Sequence, residues 1–430
     1  MYIEILAKSG IVRRVPVVVA AGLIVVGLAP WSSASAHKPK TLYAFCAQSG
    51  CSDGSGPNVV TFDAAGDLIG TTSTGGAHGG GTAFRLLAGG GHKWKHEVIY
   101  DFCAKSGCGD GNGPSGALIE DTAGNLYGMT YAGGTANTGT VFELMPTTHK
   151  KWKLKVLYSF AASGDGSGPV AALTYAGAST GVLYDGTSPL FAETLDGGSI
   201  GDGVVFKLTP GASGWTEQLI HGFDWTDGGV PVGQMAADVT GNLFGTTLLG
   251  GTDWPGVLFE MSASTGQETV LYNFQDGPDG GEPGSNLLFD ASGSLFGTAE
   301  IGGAHAKGVA FKFAVDGSAW HQTILYDFCA QADCVDGSTP IGNLAMDAAG
   351  DIFGTTYSGG GHDIDANGLG GGTVFELNGT LRKLYSFCAA ADCTDGEYPF
   401  GVVLGASGDV FGVTEQGGPN GAGTVFELTP

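Results

Sequence analysis

The same short phrases return seven times along this chain, and that periodicity restricts its fold more than any other feature. A phrase ending in Val-Phe-Glu-Leu or a relative is centred on Phe84, Phe142, Phe206, Phe259, Phe311, Phe375 and Phe426. A GNLYG-like phrase precedes it at Asp67 to Gly70, Asn125 to Gly128, Asn242 to Gly245, Ser294 to Gly297, Asp351 to Gly354 and Asp409 to Gly412. The third copy is degenerate, with Leu190, Phe191, Ala192 and Glu193 in that place after a longer insertion. An LYxF-like phrase opens each unit at Tyr43, Tyr100, Tyr158, His221, Tyr272, Tyr326 and Tyr385. Repeats of this length are supersecondary units that bury their apolar faces only against neighbours.

Each unit offers four strand candidates. Between Trp152 and Phe160, Trp152, Leu154, Val156, Tyr158 and Phe160 form one apolar series at the strand period of two. A segment from Pro to Asp, such as Pro114 to Asp121, is followed by a tight turn, the GNLYG strand, a glycine-rich loop and VFEL. Four antiparallel strands repeated radially make a propeller blade. The predicted fold is therefore all-β, a seven-bladed β-propeller with four antiparallel strands per blade. The last unit ends at VFELTP without its fourth strand, while Thr41 to Phe45 supplies one spare copy. Pairing the two closes the ring by the N-terminal strand and removes exposed sheet edges. A linear β-solenoid is the alternative, but it would call for atypical capping repeats.

Before the repeats, Lys8, Arg13 and Arg14 precede an apolar stretch, and Ala34-Ser35-Ala36 has the small-x-small pattern of a signal-peptidase site. The domain expectation is a signal peptide over 1–36, cleaved before His37, and a single propeller domain over 37–430. The apolar stretch is about 14 residues, short of the roughly 18 to 20 that span a bilayer. The sequence thus predicts a secreted product, extracellular or periplasmic, with no transmembrane span in the mature chain. The 79 glycines fall at fixed places beside strand formers and read as turns. A net charge of −24 with no basic stripe argues against nucleic-acid binding.

The pattern LYxF…DG…P…GNLYGTT…GG…GTVFELTP resembles the GloVer repeat, the Gloeo/Verruco type found in bacterial extracellular tandem-repeat proteins. The resemblance covers essentially Thr41 to Pro430 and implies export, often with an anchor; it implies no activity and no catalytic residues. The lack of an apolar tail near Pro430 departs from anchored relatives and favours release.

All eight cysteines form four C-x-x-x-x-C pairs at one repeat position: Cys46 with Cys51, Cys103 with Cys108, Cys329 with Cys334, and Cys388 with Cys393. Cysteines present or absent in pairs in an exported chain indicate disulfides. Zinc is the competing reading and would need ligands gathered from different blades. Each bridge would contribute about 2 kcal/mol by closing a short loop. Alternate connections of a meander emerge at one end, so the cysteine loops and the Gly-Gly loops share what we call the upper face.

That face holds the candidate sites. An Asp-Gly pair recurs at Asp53, Asp110, Asp165, Asp227, Asp279, Asp336 and Asp395. It reads either as a turn cap or as an acidic ring that concentrates cations. Asp363, Asp365 and Asn367, with Gly368 at the sixth position, match the first half of a calcium loop, but Val374 stands where a bidentate Glu is expected. Calcium is accordingly the cofactor this loop points to. Trp94, Trp152, Trp215 and Trp320 recur at strand starts as packing residues, whereas Trp225 and Trp254 break the pattern in two upper loops of one blade. Together with Asp227, Tyr131 and Tyr357 they form the predicted ligand surface, for a polysaccharide or cell-surface protein bound by a monomer. His78, His305 and His362 follow Gly-Gly pairs and read as solvated loop residues. No nucleophile elbow, zinc-protease helix or phosphate loop is present in the sequence. The enzymatic alternative, a carbohydrate-active hydrolase or lyase, would rest on Glu193, Glu300 and Glu415.

Overall fold

The computed structural model describes residues 38–89, 93–148, 151–161, 164–275, 277–317, 319–362 and 370–430. The leader 1–36 and the Asp363, Asp365 and Asn367 loop lie outside the described residues. The rest is a seven-bladed β-propeller of small antiparallel sheets.

Blade 2 shows the plan. Its strands a to d are Asn112–Glu120, Leu126–Ala132, Thr140–Pro146 and Trp152–Ser159, each hydrogen-bonded to the next. Strand a is the Pro-to-Asp segment, b the GNLYG phrase, c VFEL and d LYxF. Blade 3, whose repeat is degenerate, keeps b, c and d as Leu190–Thr194, Val204–Gly211 and Gly214–Gly222. Its strand a is reduced to the bridges Thr174 to Phe191 and Ser167 to Asp196.

Closure follows the spare-strand arithmetic. Blade 7 has Glu397–Leu404, Val410–Gln416 and Thr424–Leu428 as a to c, and Lys40–Ala44 completes it as d. Lys40 pairs with Glu427, Thr41 with Phe426, Tyr43 with Val425 and Ala44 with Thr424. A Lys40 Nζ to Glu427 Oε2 contact of 2.9 Å caps this outer pair.

The core lies between blades, which is why phenylalanine recurs at two fixed places in the repeat. The Phe that ends each LYxF phrase packs on the VFEL Phe of the following blade: Phe45 on Phe84, Phe102 on Phe142, Phe160 on Phe206, Phe223 on Phe259, Phe274 on Phe311, Phe328 on Phe375, and Phe387 on Phe426. Centroid separations are 5.0–5.5 Å. All fourteen rings are buried. Such tilted and edge-on pairs add about 0.5–1.5 kcal/mol beyond simple burial.

A second seven-fold device ties each strand a to the blade before it. Gly56, Gly113, Gly168, Val230, Glu282, Thr339 and Tyr398 all have φ between 55° and 63°. Turned this way, their N–H groups donate to Ala422, Gly80, Thr138, Asp202, Pro255, Lys307 and Gly371 carbonyls of the preceding Gly-Gly loop, at 2.8–3.0 Å. Further in, the a strands come backbone to backbone: a Cβ on Gly342 of blade 6 would lie 2.4 Å from the Gly401 nitrogen of blade 7. Only glycine permits that approach.

Candidate functional site

The four cysteine pairs are bonded as paired in the sequence, and no cysteine is free. Each closes a single tight turn, such as Ser106–Cys108. The second cysteine's carbonyl then receives the N–H of the neighbouring Gly-Gly loop, as Gly134 does to Cys108. The two kinds of upper loop are thereby locked together at one end of the blade.

The recurring aspartates are not an acidic ring. Asp53, Asp110, Asp336 and Asp395 are buried. Six of the seven accept a hydrogen bond from the LYxF tyrosine at 2.7–2.9 Å: Tyr43, Tyr100, Tyr158, Tyr272, Tyr326 and Tyr385. They also gather loop amides, as Asp110 does from Ala104 and Lys105. The turn cap expected from the sequence is thus part of something larger: carboxylate, phenol and amides form a staple across the loop. Burial and the adjacent carboxylate raise the phenol pKa values above their usual range.

Strand d of the next blade faces several of these loops with a variable residue. His96 stacks on Tyr43 at 4.0 Å, Gln322 bonds the Asp279 carbonyl at 2.8 Å, and the Lys383 Nζ bonds the Val335 carbonyl beside Asp336 at 2.8 Å. Glu217 meets Tyr158. Between blades 3 and 4 the tyrosine itself is replaced. His221 Nε2 lies 2.9 Å from Asp227 Oδ2, and Glu268 of strand d (Glu268–Asn273) faces them. Burial pushes the Glu268 carboxyl up to about 7, against the pull of His221.

Directly beside this cluster, Trp225 and Trp254 meet. Their rings are 5.2 Å apart at 39°, with Trp254 58% exposed. Both hold positive φ, 70° and 75°, which is costly for an aromatic residue. The Trp225 carbonyl accepts the Gly251 N–H, and its own N–H donates to Gly228. Asp227, Trp225 and Trp254 thus share one corner of the upper face.

The remaining predicted residues lie elsewhere. Tyr131 is half-buried at the upper end of blade 2 strand b, across from Gly168 of blade 3. Tyr357 is buried in the blade 6–7 interface, stacked on Tyr398 at 4.5 Å and donating to Glu415 at 3.3 Å. Glu300 and Glu415 occupy the same register, just past the last b–c pair of blades 5 and 7. Glu193 is two positions earlier, opposite Val205, fully buried against Gly245 of blade 4. Both its carboxylate oxygens are without a hydrogen-bond partner, and burial drives its pKa far up. His78, His305 and His362 are exposed on blades 1, 5 and 6. On the lower face, a cleft of about 410 Å³ between blades 1 and 2 is lined by Arg85, Glu120, Pro146 and Trp152. The Arg85 guanidinium is held by Asp63 and Asp67, each at 2.8 Å.

The sequence profile of the Gloeobacter/Verrucomicrobia repeat matches residues 31–189 and 178–426. No curated protein matches the chain. Among solved structures it is similar to a putative oxidoreductase described as a glucose dehydrogenase from Thermus thermophilus, at 14% identity and a TM-score of 0.42, covering 74% of this chain and 96% of that one. It is also similar to Trypanosoma rangeli sialidase in complex with the inhibitor DANA, at 9% identity and a TM-score of 0.41, covering 87% of this chain and 54% of that one. The chain therefore spans little more than half the sialidase.

Proposed function

This chain belongs to the Gloeobacter/Verrucomicrobia repeat family, and we propose that it is a secreted, monomeric, non-catalytic binding propeller whose upper face at blade 4 takes an extracellular polysaccharide. The observation that carries this reading is the Trp225–Trp254 pair, with rings 5.2 Å apart and the outer indole 58% exposed. Exposed indoles offer flat apolar faces to sugar rings at little cost in side-chain entropy. Bonded loops on the same face reduce the ordering cost of binding.

Export is supported by the leader-like segment over 1–36 and by four disulfides, which persist in oxidising compartments. A hydrolase is disfavoured by the register of its candidate carboxylates, since Glu193 is sealed between blades while Glu300 and Glu415 belong to a different level of the ring. A glycan-array screen of the secreted protein tests the reading. Retention of one polysaccharide class without release of shorter products is expected; turnover of the bound glycan overturns it.

A further inference from the structure

We propose that His221, Asp227 and Glu268 form a binding site for a first-row divalent cation, Zn²⁺ being the best match to one imidazole and two carboxylates. The site adjoins the indole pair, but its assignment does not depend on the polysaccharide reading.

The geometry starts from three elements. His221 lies on strand d of blade 3, Asp227 in the loop that follows, and Glu268 on strand d of blade 4. One ligand atom from each lies within 4.8 Å of the other two. Histidine nitrogen and carboxylate oxygen bind Zn²⁺ at about 2.0–2.2 Å, so ligand atoms around a tetrahedral ion stand roughly 3.4 Å apart. With His221 and Asp227 already at 2.9 Å, a small movement of the flexible Glu268 side chain completes the set. Three protein ligands leave one position for water.

Two further observations point to a ligand. Nε2 of His221 and Oε1 of Glu268 are both shielded from solvent without a hydrogen-bond partner. The 2.9 Å contact to Asp227 lacks hydrogen-bond alignment, so the imidazole nitrogen is close to a carboxylate but not bonded to it. Buried polar atoms are ordinarily satisfied, and a cation would satisfy both at once.

The ring supplies an internal control. At the preceding staple, Tyr158 donates to Asp165 at 2.7 Å and Glu217 meets the same hydroxyl. Asp and Glu are thus present there too, and Glu217 Oε1 likewise lacks a partner, but the phenol occupies the centre with a proton donor and no unpaired imidazole nitrogen stands there. Replacing that tyrosine by histidine substitutes a metal ligand for a donor while keeping both carboxylates. The exchange occurs at one staple of the seven, in a loop that has no cysteine pair. A bound cation would join that loop to both flanking blades, where four of the other six loops are closed by a disulfide.

Calorimetric titration of the untagged, metal-stripped protein with Zn²⁺ tests the assignment. The expected result is one equivalent of Zn²⁺ bound, with Mg²⁺ failing to compete at equal concentration. His221→Tyr, which installs the arrangement of the Tyr158 staple, should abolish that equivalent, and Glu268→Gln should weaken it by more than about tenfold. Thermal melts without metal identify whether each variant folds; if His221→Tyr fails to fold, Glu268→Gln decides alone. No Zn²⁺ binding by the parent, or an equivalent that survives in a folded variant, overturns the proposal.

Discussion

The Tyr326 hydroxyl donates to Asp336 Oδ2 over 2.7 Å, inside a loop where the carboxylate is fully buried. Asp336 also accepts the N–H groups of Ala330 and Gln331 at 2.9 and 3.1 Å. Removing the carboxylate strands three donors, whereas removing the hydroxyl strands none, because the amides still serve the acid. Asp336→Ala should therefore cost about 3 kcal/mol or more in urea unfolding, and Tyr326→Phe about 1 kcal/mol. Equal costs would show that the staple is not organised around the aspartate.

Phe45 joins the strand that closes the ring to the first full blade. It is fully buried, 5.1 Å from Phe84 in an edge-on pair. Phe45→Ala should lower unfolding free energy by about 3–5 kcal/mol. Deleting 38–45 should go further and abolish cooperative unfolding, since strand c of blade 7 would become an open edge. A deletion variant with the parent's calorimetric transition would sink the closure argument.

His96 makes the same junction sensitive to acid. Its ring lies between Tyr43, Phe45 and Phe84, and burial brings its pKa down to about 4 despite the attraction of Asp53. Between the ordinary histidine pKa near 6.5 and that value, the unfolded chain takes up a proton that the folded one refuses. Stability is thus fully present above pH 6.5 and declines toward pH 4, by up to about 3 kcal/mol. His96→Gln should flatten this component when unfolding is measured at pH 7.5, 5.5 and 4.5.

Positive φ at the start of strand a is occupied by glycine in three blades and by Val230, Glu282, Thr339 and Tyr398 in four. Val230→Gly should relieve strain and leave stability unchanged or higher by about 1 kcal/mol. Gly113→Val, the reverse exchange two blades away, should cost about 1–3 kcal/mol. Denaturant midpoints of the two variants moving in the same direction would contradict the strain account.

Binding is tested apart from stability. Trp225→Ala with Trp254→Ala should weaken polysaccharide binding by about 1–3 kcal/mol and leave the melting transition nearly unchanged. Unchanged affinity would remove the indole pair from the site.

Fold and closure were legible in the sequence because both depend on phrases repeated in order: LYxF and VFEL mark the paired phenylalanines, and the spare Thr41 to Phe45 copy marks the junction. The disulfides were legible because Cys46 and Cys51, like their counterparts, come and go together. The staples were harder. Tyr326 and Asp336 both recur, but only the folded loop brings a phenol against a carboxylate, so Asp-Gly alone read as a turn or a charged rim. The left-handed positions left little trace, since valine, glutamate, threonine and tyrosine stand where glycine would have signalled them. At blade 4 the sequence singled out Trp225, Trp254 and Asp227, while Glu268 joins them from a neighbouring strand whose approach depends on packing between blades. Tyr357 illustrates the converse: its upper position was readable, but its burial on Tyr398 was not.

The pairing of Lys40 with Glu427 also sets the order in which this molecule can assemble. Synthesis runs from the amino end, so the Lys40–Ala44 strand emerges long before its partner, Thr424–Leu428, with blades 1 to 6 made in between. Through almost the whole of that interval the first strand can pack on blade 1 through Tyr43 and Phe45 but lacks the strand it hydrogen-bonds to. Loop-closure entropy rises only slowly with length, by about 0.6 kcal/mol per doubling, so joining the two ends is a delay more than a thermodynamic burden. An export machine that accepts only unfolded polypeptide would meet a chain whose ring-closing contact cannot form until Thr424–Leu428 is made.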